Sequence, residues 1–114
     1  MTPKPLKDEL GVLNKAYKIL TEDLHCDFLK ALAELEDNEN HRKKNFPHTQ
    51  LHKVSGIKNV SVYRAYINKI QGWRIHLQYG KDNFLYLCDV LTGEEHDDTT
   101  EVIMSRKNRY KKKR

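Results

Sequence analysis

The sequence predicts an α+β fold in which a helical hairpin packs on a small antiparallel sheet and is followed by a short C-terminal helix. Apolar residues recur at helical spacing in the first third of the chain and at strand spacing between residues 60 and 91. A chain of 114 residues is long enough for one domain with one hydrophobic core. We therefore expect a single domain over residues 1–104 and a basic C-terminal tail over residues 105–114.

Two amphipathic segments predict the helical hairpin. Apolar residues separated by three or four positions mark a first helix that is expected to begin near Pro5. Thr21 is a suitable N-cap for the second helix, because the acids Glu22 and Asp23 follow in its first turn. The link between the segments is short, so the two helices are expected to fold back on each other. Their apolar positions are Leu6, Leu10, Leu13, Tyr17, Leu20, Leu24, Phe28, Leu29, Leu32 and Leu35.

Three strands are expected after a polar, aperiodic segment at residues 37–50 that predicts a loop. Residues 60–67 and 73–79 alternate between apolar and polar side chains, whereas residues 84–91 are apolar almost throughout. A turn at residues 80–83 joins the last two strands. The apolar third strand is expected to be central and covered on both faces. Thr99 or Thr100 is then expected to cap a short helix through Tyr110.

The first two strands predict a polar sheet face. Strand side chains alternate between two faces, so the apolar positions of both strands can face the core while the polar positions collect opposite. Guanidinium, phenol and imidazole groups together suit a surface that holds a phosphate and moves a proton. An ordinary solvated sheet face is the alternative interpretation, and either interpretation leaves Arg74 in solvent. The polar set is Arg64, Tyr66, Arg74, His76 and Gln78.

The positive charge is concentrated at the C-terminus. The net charge is +5, yet the last ten residues carry seven of the 21 lysines and arginines and none of the 16 acids. A short basic end commonly contacts nucleic-acid phosphate in a salt-dependent way. A solubilising tail and an anchor for an acidic protein partner are the alternatives.

Location and cofactors are constrained by what the sequence lacks. No apolar run approaches the roughly 20 residues that span a bilayer. No signal peptide is visible, so we expect a cytoplasmic protein with no membrane partner. Cys26 and Cys88 are expected to be reduced core residues rather than a disulfide. His41, His48 and His52 fit no metal-ligand spacing, and neither a metal nor a cofactor is expected.

Four short motifs follow one another between residues 51 and 98. They read Leu-His-Lys-Val-x-Gly at 51–56, Val-Tyr-Arg-x-Tyr-Ile at 62–67, Gly-Trp-Arg-Ile-His-Leu-Gln-Tyr at 72–79 and Leu-Thr-Gly-x-x-His-Asp-Asp at 91–98. In this order and spacing they resemble the RelE/ParE toxin superfamily, the small basic toxins of bacterial type II toxin–antitoxin pairs. The resemblance covers under half of the chain, plus the order of the two preceding helices.

The resemblance implies a RelE-like domain with an antiparallel sheet against a helical hairpin. For the RelE branch it implies an RNA endonuclease that cleaves mRNA in the ribosomal A site without a metal and so inhibits translation. The implied partners are mRNA on the ribosome and a cognate antitoxin protein. Arg64 and Arg74 fall on the family's basic strand positions, and His96 falls on the catalytic histidine of the YafQ-like members. Tyr110 lies near the C-terminal tyrosine of RelE, without its motif.

Cleavage of RNA through its own 2′-hydroxyl needs a base, cations for the phosphorane and an acid for the leaving 5′-oxygen. Arg64 and Arg74 suit the phosphate, because a guanidinium binds two of its oxygens at once. His96 is the expected acid, since imidazole titrates near neutrality, and His76 is a second candidate for the base. Tyr66 is expected to stack on a nucleobase or orient the hydroxyl. RNA binding is expected from Lys53, Arg106, Arg109, Lys111, Lys112 and Lys113.

Two features depart from the family pattern. Residues 1–5 are too short and proline-rich to form the strand that usually precedes the first helix, so this strand is expected to be missing. Four acids surround His96 and favour its charged form. The alternatives to a nuclease are therefore a non-catalytic or gyrase-targeting protein with the toxin fold, and a basic-tailed RNA- or ribosome-binding protein outside the family.

Overall fold

A computed structural model describes residues 3–57, 60–93 and 99–111, and in it a sheet separates a helical layer from the C-terminal segment. The helices are α1 (Val12–Ile19), α2 (Glu22–Glu36), α3 (Asn38–Lys43) and α4 (Thr99–Ser105). The strands are β1 (Leu6–Lys7), β2 (His52–Lys53), β3 (Tyr63–Asn68), β4 (Trp73–Tyr79) and β5 (Leu85–Leu91). A 3-10 turn, Lys107–Arg109, follows α4. The predicted α+β class is confirmed.

The sheet has five strands in the order β1-β5-β4-β3-β2. The pairs β2–β3, β3–β4 and β4–β5 are antiparallel, and β1 pairs with β5 in parallel. The expectation that the N-terminal strand is missing was wrong, because Leu6 and Lys7 pair with Leu85 and Tyr86. The first helix therefore begins at Val12 rather than near Pro5. The apolar strand β5 was expected to be central, but β4 occupies the centre and β5 is the interior strand beside it.

The helical layer contains a third helix, α3, that was not predicted. A short helix, α3, stands within the segment that was expected to be a loop, and the Asp37 carboxylate accepts a hydrogen bond from the Glu39 backbone at its start. The Glu34 carboxylate of α2 accepts from the backbone N–H groups of His48 and Thr49, at 2.8 and 2.6 Å. These bonds attach the segment that precedes β2 to helix α2.

The main core lies between the helices and one sheet face. Helix α1 packs on β5 and α2 packs on β3, with Phe28, Ile75 and Leu77 among the buried residues. A second, smaller core lies on the other face, where Ile103 and Tyr110 pack with Val62 and Cys88. Cys26 was expected in the core but is exposed, whereas Cys88 is buried, and both thiols are free.

A bulge in β5 places a carboxylate in the second layer. The register places His76 opposite Asp89 but Leu77 opposite Leu87, so β5 contains one extra residue there. Strict alternation would align Asp89 with Leu85 and Leu87 in the apolar core. The bulge shifts the pairing by one residue and places Asp89 on the face of its partner His76.

Asp89 is fully buried and links three parts of the chain. Its carboxylate accepts from Lys15 of α1 at 2.8 Å and from Arg106, just after α4, at 2.7 Å. Arg109 stands 3.9 Å away. Burial by itself raises the pKa of Asp89, but the hydrogen bonds and charges of Lys15 and Arg106 outweigh it and leave the pKa lowered. The carboxylate is therefore ionised and compensated.

Replacing Asp89 with asparagine is expected to destabilise the fold by roughly 3 kcal/mol, since Lys15 and Arg106 would lose a buried partner. The two cations are about one-third exposed, which places the loss at the low end for a broken buried pair. Chemical denaturation checks the value. Glu39→Gln is the matched control, because Glu39 pairs with Arg42 at the surface. Equal effects of the two substitutions would contradict a structural role for Asp89.

Candidate functional site

The structure brings the predicted polar residues of β3 and β4 together on one face. Arg64 pairs directly with His76, and Tyr66 pairs with Arg74 across the two strands. Residues opposite each other in an antiparallel pair share a face. The Arg74 guanidinium lies 5.5 Å from the centre of the Tyr66 ring, within range of a cation–π contact. The alternation that predicted this arrangement is confirmed.

Burial of this face was not predicted. Arg74, His76 and Gln78 are fully or almost fully buried, whereas the sequence placed Arg74 in solvent. Arg64 and Tyr66, on the neighbouring strand, are half-buried. The face therefore has a buried half on β4 and a more accessible rim on β3.

The C-terminal segment covers His76 and Gln78 of the buried half. The hydroxyl of Tyr110 lies 2.9 Å from Nδ1 of His76. The Gln78 amide donates to the Lys111 carbonyl at 2.8 Å and accepts from the Lys111 backbone N–H at 3.0 Å. Arg109 donates to the Cys88 carbonyl. Residues 106–111, predicted as part of a tail, thus lie on the sheet and hydrogen-bond to His76 and Gln78.

His76 is held neutral by this cover. Burial, then the nearby charge of Arg64, lowers the pKa of His76 to about 3. Burial raises the pKa of Tyr110. Nε2 of His76 is buried and has no hydrogen-bond partner among the described residues. An imidazole in this position does not reach an RNA hydroxyl while the C-terminal segment is in place, so the geometry disfavours His76 as the base.

Arg74 is positioned by a tight contact between two turns. Its Nε donates to the carbonyl of Gly72 at 3.1 Å. Gly72 has a φ of +77°, and a Cβ on Gly93 would overlap the carbonyl oxygen of Gln71, so both positions require glycine. The loop that leaves β5 therefore starts against the β3–β4 turn and beside Arg74. His96, three residues after Gly93, lies outside the described residues.

The predicted RNA-binding residues are divided between different environments. Lys53 is exposed but pairs with Tyr63, so it belongs to the opposite sheet face from Arg64. Arg106 and Arg109 are about one-third exposed and interact with Asp89 and Cys88. Lys111 is exposed, with its backbone bound to Gln78. Lys112 and Lys113 lie outside the described residues.

Sequence reasoning missed Asp89, which organises this face. The available signal was an acid within an otherwise apolar strand, because such a charge needs a buried partner. Gln78 and Tyr110 were noticed, but their pairing with the C-terminal segment was not. Within the described ranges, no group of three or more His, Cys, Asp or Glu residues could hold a metal. No helix in the described part of the chain is long and apolar enough to cross a membrane.

Comparison with known proteins identifies the fold. No protein-family model and no curated protein matches the sequence. A solved structure that matches is the archaeal RelE–RelB complex from Pyrococcus horikoshii OT3, with a TM-score of 0.56 and 22% sequence identity. The match covers 82% of this chain and 97% of the other. This chain has a RelE-like fold. The expected resemblance is thus confirmed at the level of the fold.

The buried neutral state of His76 predicts a pH dependence of stability. Below pH 6.5 the unfolded chain binds a proton at this histidine that the folded protein excludes until about pH 3. Stability is therefore expected to fall as the pH drops through this window, with up to about 1.4 kcal/mol per pH unit from this group. His76→Gln should reduce the slope. His52→Gln, at an exposed position, is the control, and an unchanged slope in His76→Gln would refute the assignment.

Proposed function

We propose that this protein is a RelE-type toxin of a type II toxin–antitoxin system that cleaves mRNA on the ribosome without a metal and so inhibits translation. One observation carries the proposal. On the polar face of a RelE-like sheet, Arg64 pairs with His76 and Tyr66 pairs with Arg74. Such a set of cations and aromatic groups suits an RNA phosphate and its flanking base.

The rim of the face is the proposed contact with RNA. Arg64 is half-buried on β3 and would bind the scissile phosphate through its guanidinium. Tyr66 would stack on a nucleobase, with Arg74 positioned 5.5 Å from its ring. Arg74 is then mainly a positioning residue, because it is fully buried.

His96 is the proposed proton donor to the leaving 5′-oxygen. Its loop begins at Gly93, which packs against the turn beside Arg74. An acid here would protonate the leaving group while the arginines stabilise charge on the phosphorane. The base that removes the 2′-hydroxyl proton has no strong candidate among the described residues, since His76 is buried.

We also propose that a cognate antitoxin protein binds this chain in the cytoplasm. The support is that the matching archaeal RelE is in complex with RelB. Arg106, Arg109 and the basic residues 111–113 would contribute to RNA binding around the rim, and Lys53 would contribute from the opposite face.

A non-catalytic protein with the toxin fold is the second candidate. It is favoured by the complete burial of Arg74 and His76, the second of which is covered by Tyr110. Such a protein would bind an antitoxin but leave mRNA intact.

Induced expression with and without the neighbouring gene separates the two functions. Growth and mRNA 5′ ends are followed together. A nuclease toxin stops growth and creates new 5′ ends within translated codons, and co-expression of an antitoxin prevents both. Unchanged 5′ ends with normal growth would favour the non-catalytic protein.

Substituting His96 with glutamine is expected to reduce cleavage of ribosome-bound mRNA at least about 100-fold, the lower range for loss of a general acid. Ribosome binding and the thermal midpoint should stay near the parent's. His25→Gln, on α2 at the other face of the sheet, is the matched control. Parent-like cleavage by the His96 variant would exclude this residue from the reaction.

Removing Lys112 to Arg114 is expected to weaken RNA binding without affecting chemistry. The truncation leaves Lys111 in place, so its bonds to Gln78 persist. Loss of three phosphate contacts should flatten the plot of log affinity against log salt by roughly two units for single-stranded RNA. A plot of unchanged slope would show that these residues face solvent or a protein.

A further inference from the structure

A cavity lies on the helical side of the sheet, away from the polar face. It has a volume of about 360 Å³, which is within the range of small-molecule sites. Tyr63 and Tyr79 contribute from β3 and β4, on the opposite side from Arg64 and Gln78. The lining residues are His41, Lys44, Phe46, Leu51, Tyr63 and Tyr79.

Four rings form most of the wall. Phe46 meets His41 at 5.0 Å and 76°, His41 meets Tyr79 at 5.5 Å and 88°, and Tyr79 meets Tyr63 at 4.9 Å and 89°. Each successive pair is therefore edge-to-face. Such a series presents both ring faces and ring edges, which are the surfaces on which a flat aromatic ligand stacks.

Hydrogen bonds hold the His41 imidazole and the Tyr79 hydroxyl of this wall in their neutral forms. Nε2 of His41 donates to the Leu35 carbonyl at 2.6 Å, so Nδ1 accepts from the Tyr79 hydroxyl at 2.7 Å. Burial is the main cause that lowers the pKa of His41 and raises that of Tyr79 to about 12. The Tyr79 oxygen retains an acceptor lone pair, which can receive a ligand N–H.

Three lysines lie at or beside the cavity, and the acids Asp37 and Asp82 act on His41 and on Lys4. Lys44 is exposed among the lining residues, and none of the six lining residues is acidic. Lys53 stands opposite Tyr63 on the same sheet face. Nζ of Lys4 already lies 5.4 Å from the centre of the Tyr79 ring. A cationic ligand would meet repulsion from these lysines, whereas a phosphate would be attracted.

We propose that this cavity binds a nucleotide. The base stacks among Phe46, Tyr63 and Tyr79, and the phosphate interacts with Lys44 and Lys53. The nucleotide is either free or one unit of a single-stranded RNA, since both present a flat ring joined to a phosphate. The site does not depend on mRNA cleavage, because it lies on the other face of the sheet.

NMR titration of the full chain tests the site with AMP, ribose 5-phosphate and a short single-stranded oligoribonucleotide. AMP should shift the ring signals of Phe46, Tyr63 and Tyr79 and bind at least about tenfold more tightly than ribose 5-phosphate, because stacking contributes that factor. At the ring signals of Phe46, Tyr63 and Tyr79, tighter binding of the oligoribonucleotide than of AMP assigns the site to RNA, and equal binding assigns it to a free nucleotide.

Matched substitutions distinguish the contribution of the Phe46 ring to AMP binding from that of the Lys44 charge. Phe46→Leu keeps an apolar side chain but removes the flat ring, and it should weaken AMP binding about tenfold, with Ile70→Ala at an exposed turn as its control. Lys44→Gln should reduce the salt dependence of AMP binding, with the exposed Lys18→Gln as control. Absence of AMP binding at millimolar concentration, equal binding of AMP and ribose 5-phosphate, or shifts confined to Arg64 and Tyr66 would each overturn the proposal.

Discussion

The buried carboxylate of Asp89 is the interaction on which the arrangement of this protein depends. A bulge in β5 directs it away from the apolar core, and Lys15 and Arg106 neutralise it from two distant parts of the chain. Because Arg106 is held there, the residues that follow lie on the sheet. Tyr110 and Lys111 can then bond to His76 and Gln78, whose polar groups would otherwise need water. One ion cluster therefore couples the helical layer, the sheet and the C-terminus.

Much of the fold follows from local sequence patterns, and the rest depends on distant contacts. Alternation along β3 and β4 correctly placed Arg64 and Arg74 on one face, because strand periodicity is a property of the chain itself. Burial of that face depends on His76 meeting Tyr110, 34 residues away, and no local pattern carries such a contact. The two-residue strand β1 is too short to show periodicity, and it forms because β5 offers an edge to Leu6 and Lys7.

Contacts between residues distant in sequence also divide the candidate site into a buried half and a partly exposed half. The sequence predicted that the polar face forms one catalytic surface. In the structure its β4 half is a buried polar layer and its β3 half is a partly exposed rim. Buried polar layers of this kind satisfy hydrogen bonds and fix a single arrangement of the chain. Arg64 and Tyr66 are the partly exposed side chains of this face. The aromatic cavity on the opposite face uses alternate residues of the same strands, so β3 and β4 serve both surfaces.

Parallel measurement of mRNA cleavage and thermal unfolding for Arg64→Gln and His76→Gln tests this division most directly. Purified protein is added to ribosomes that carry a defined mRNA, and cleaved 5′ ends are quantified. The account predicts that Arg64→Gln loses cleavage while keeping the parent's thermal midpoint. It predicts that His76→Gln lowers the midpoint, and that protein kept folded at low temperature still cleaves. Parent-like cleavage by Arg64→Gln, or loss of cleavage by a fully folded His76→Gln, would contradict it.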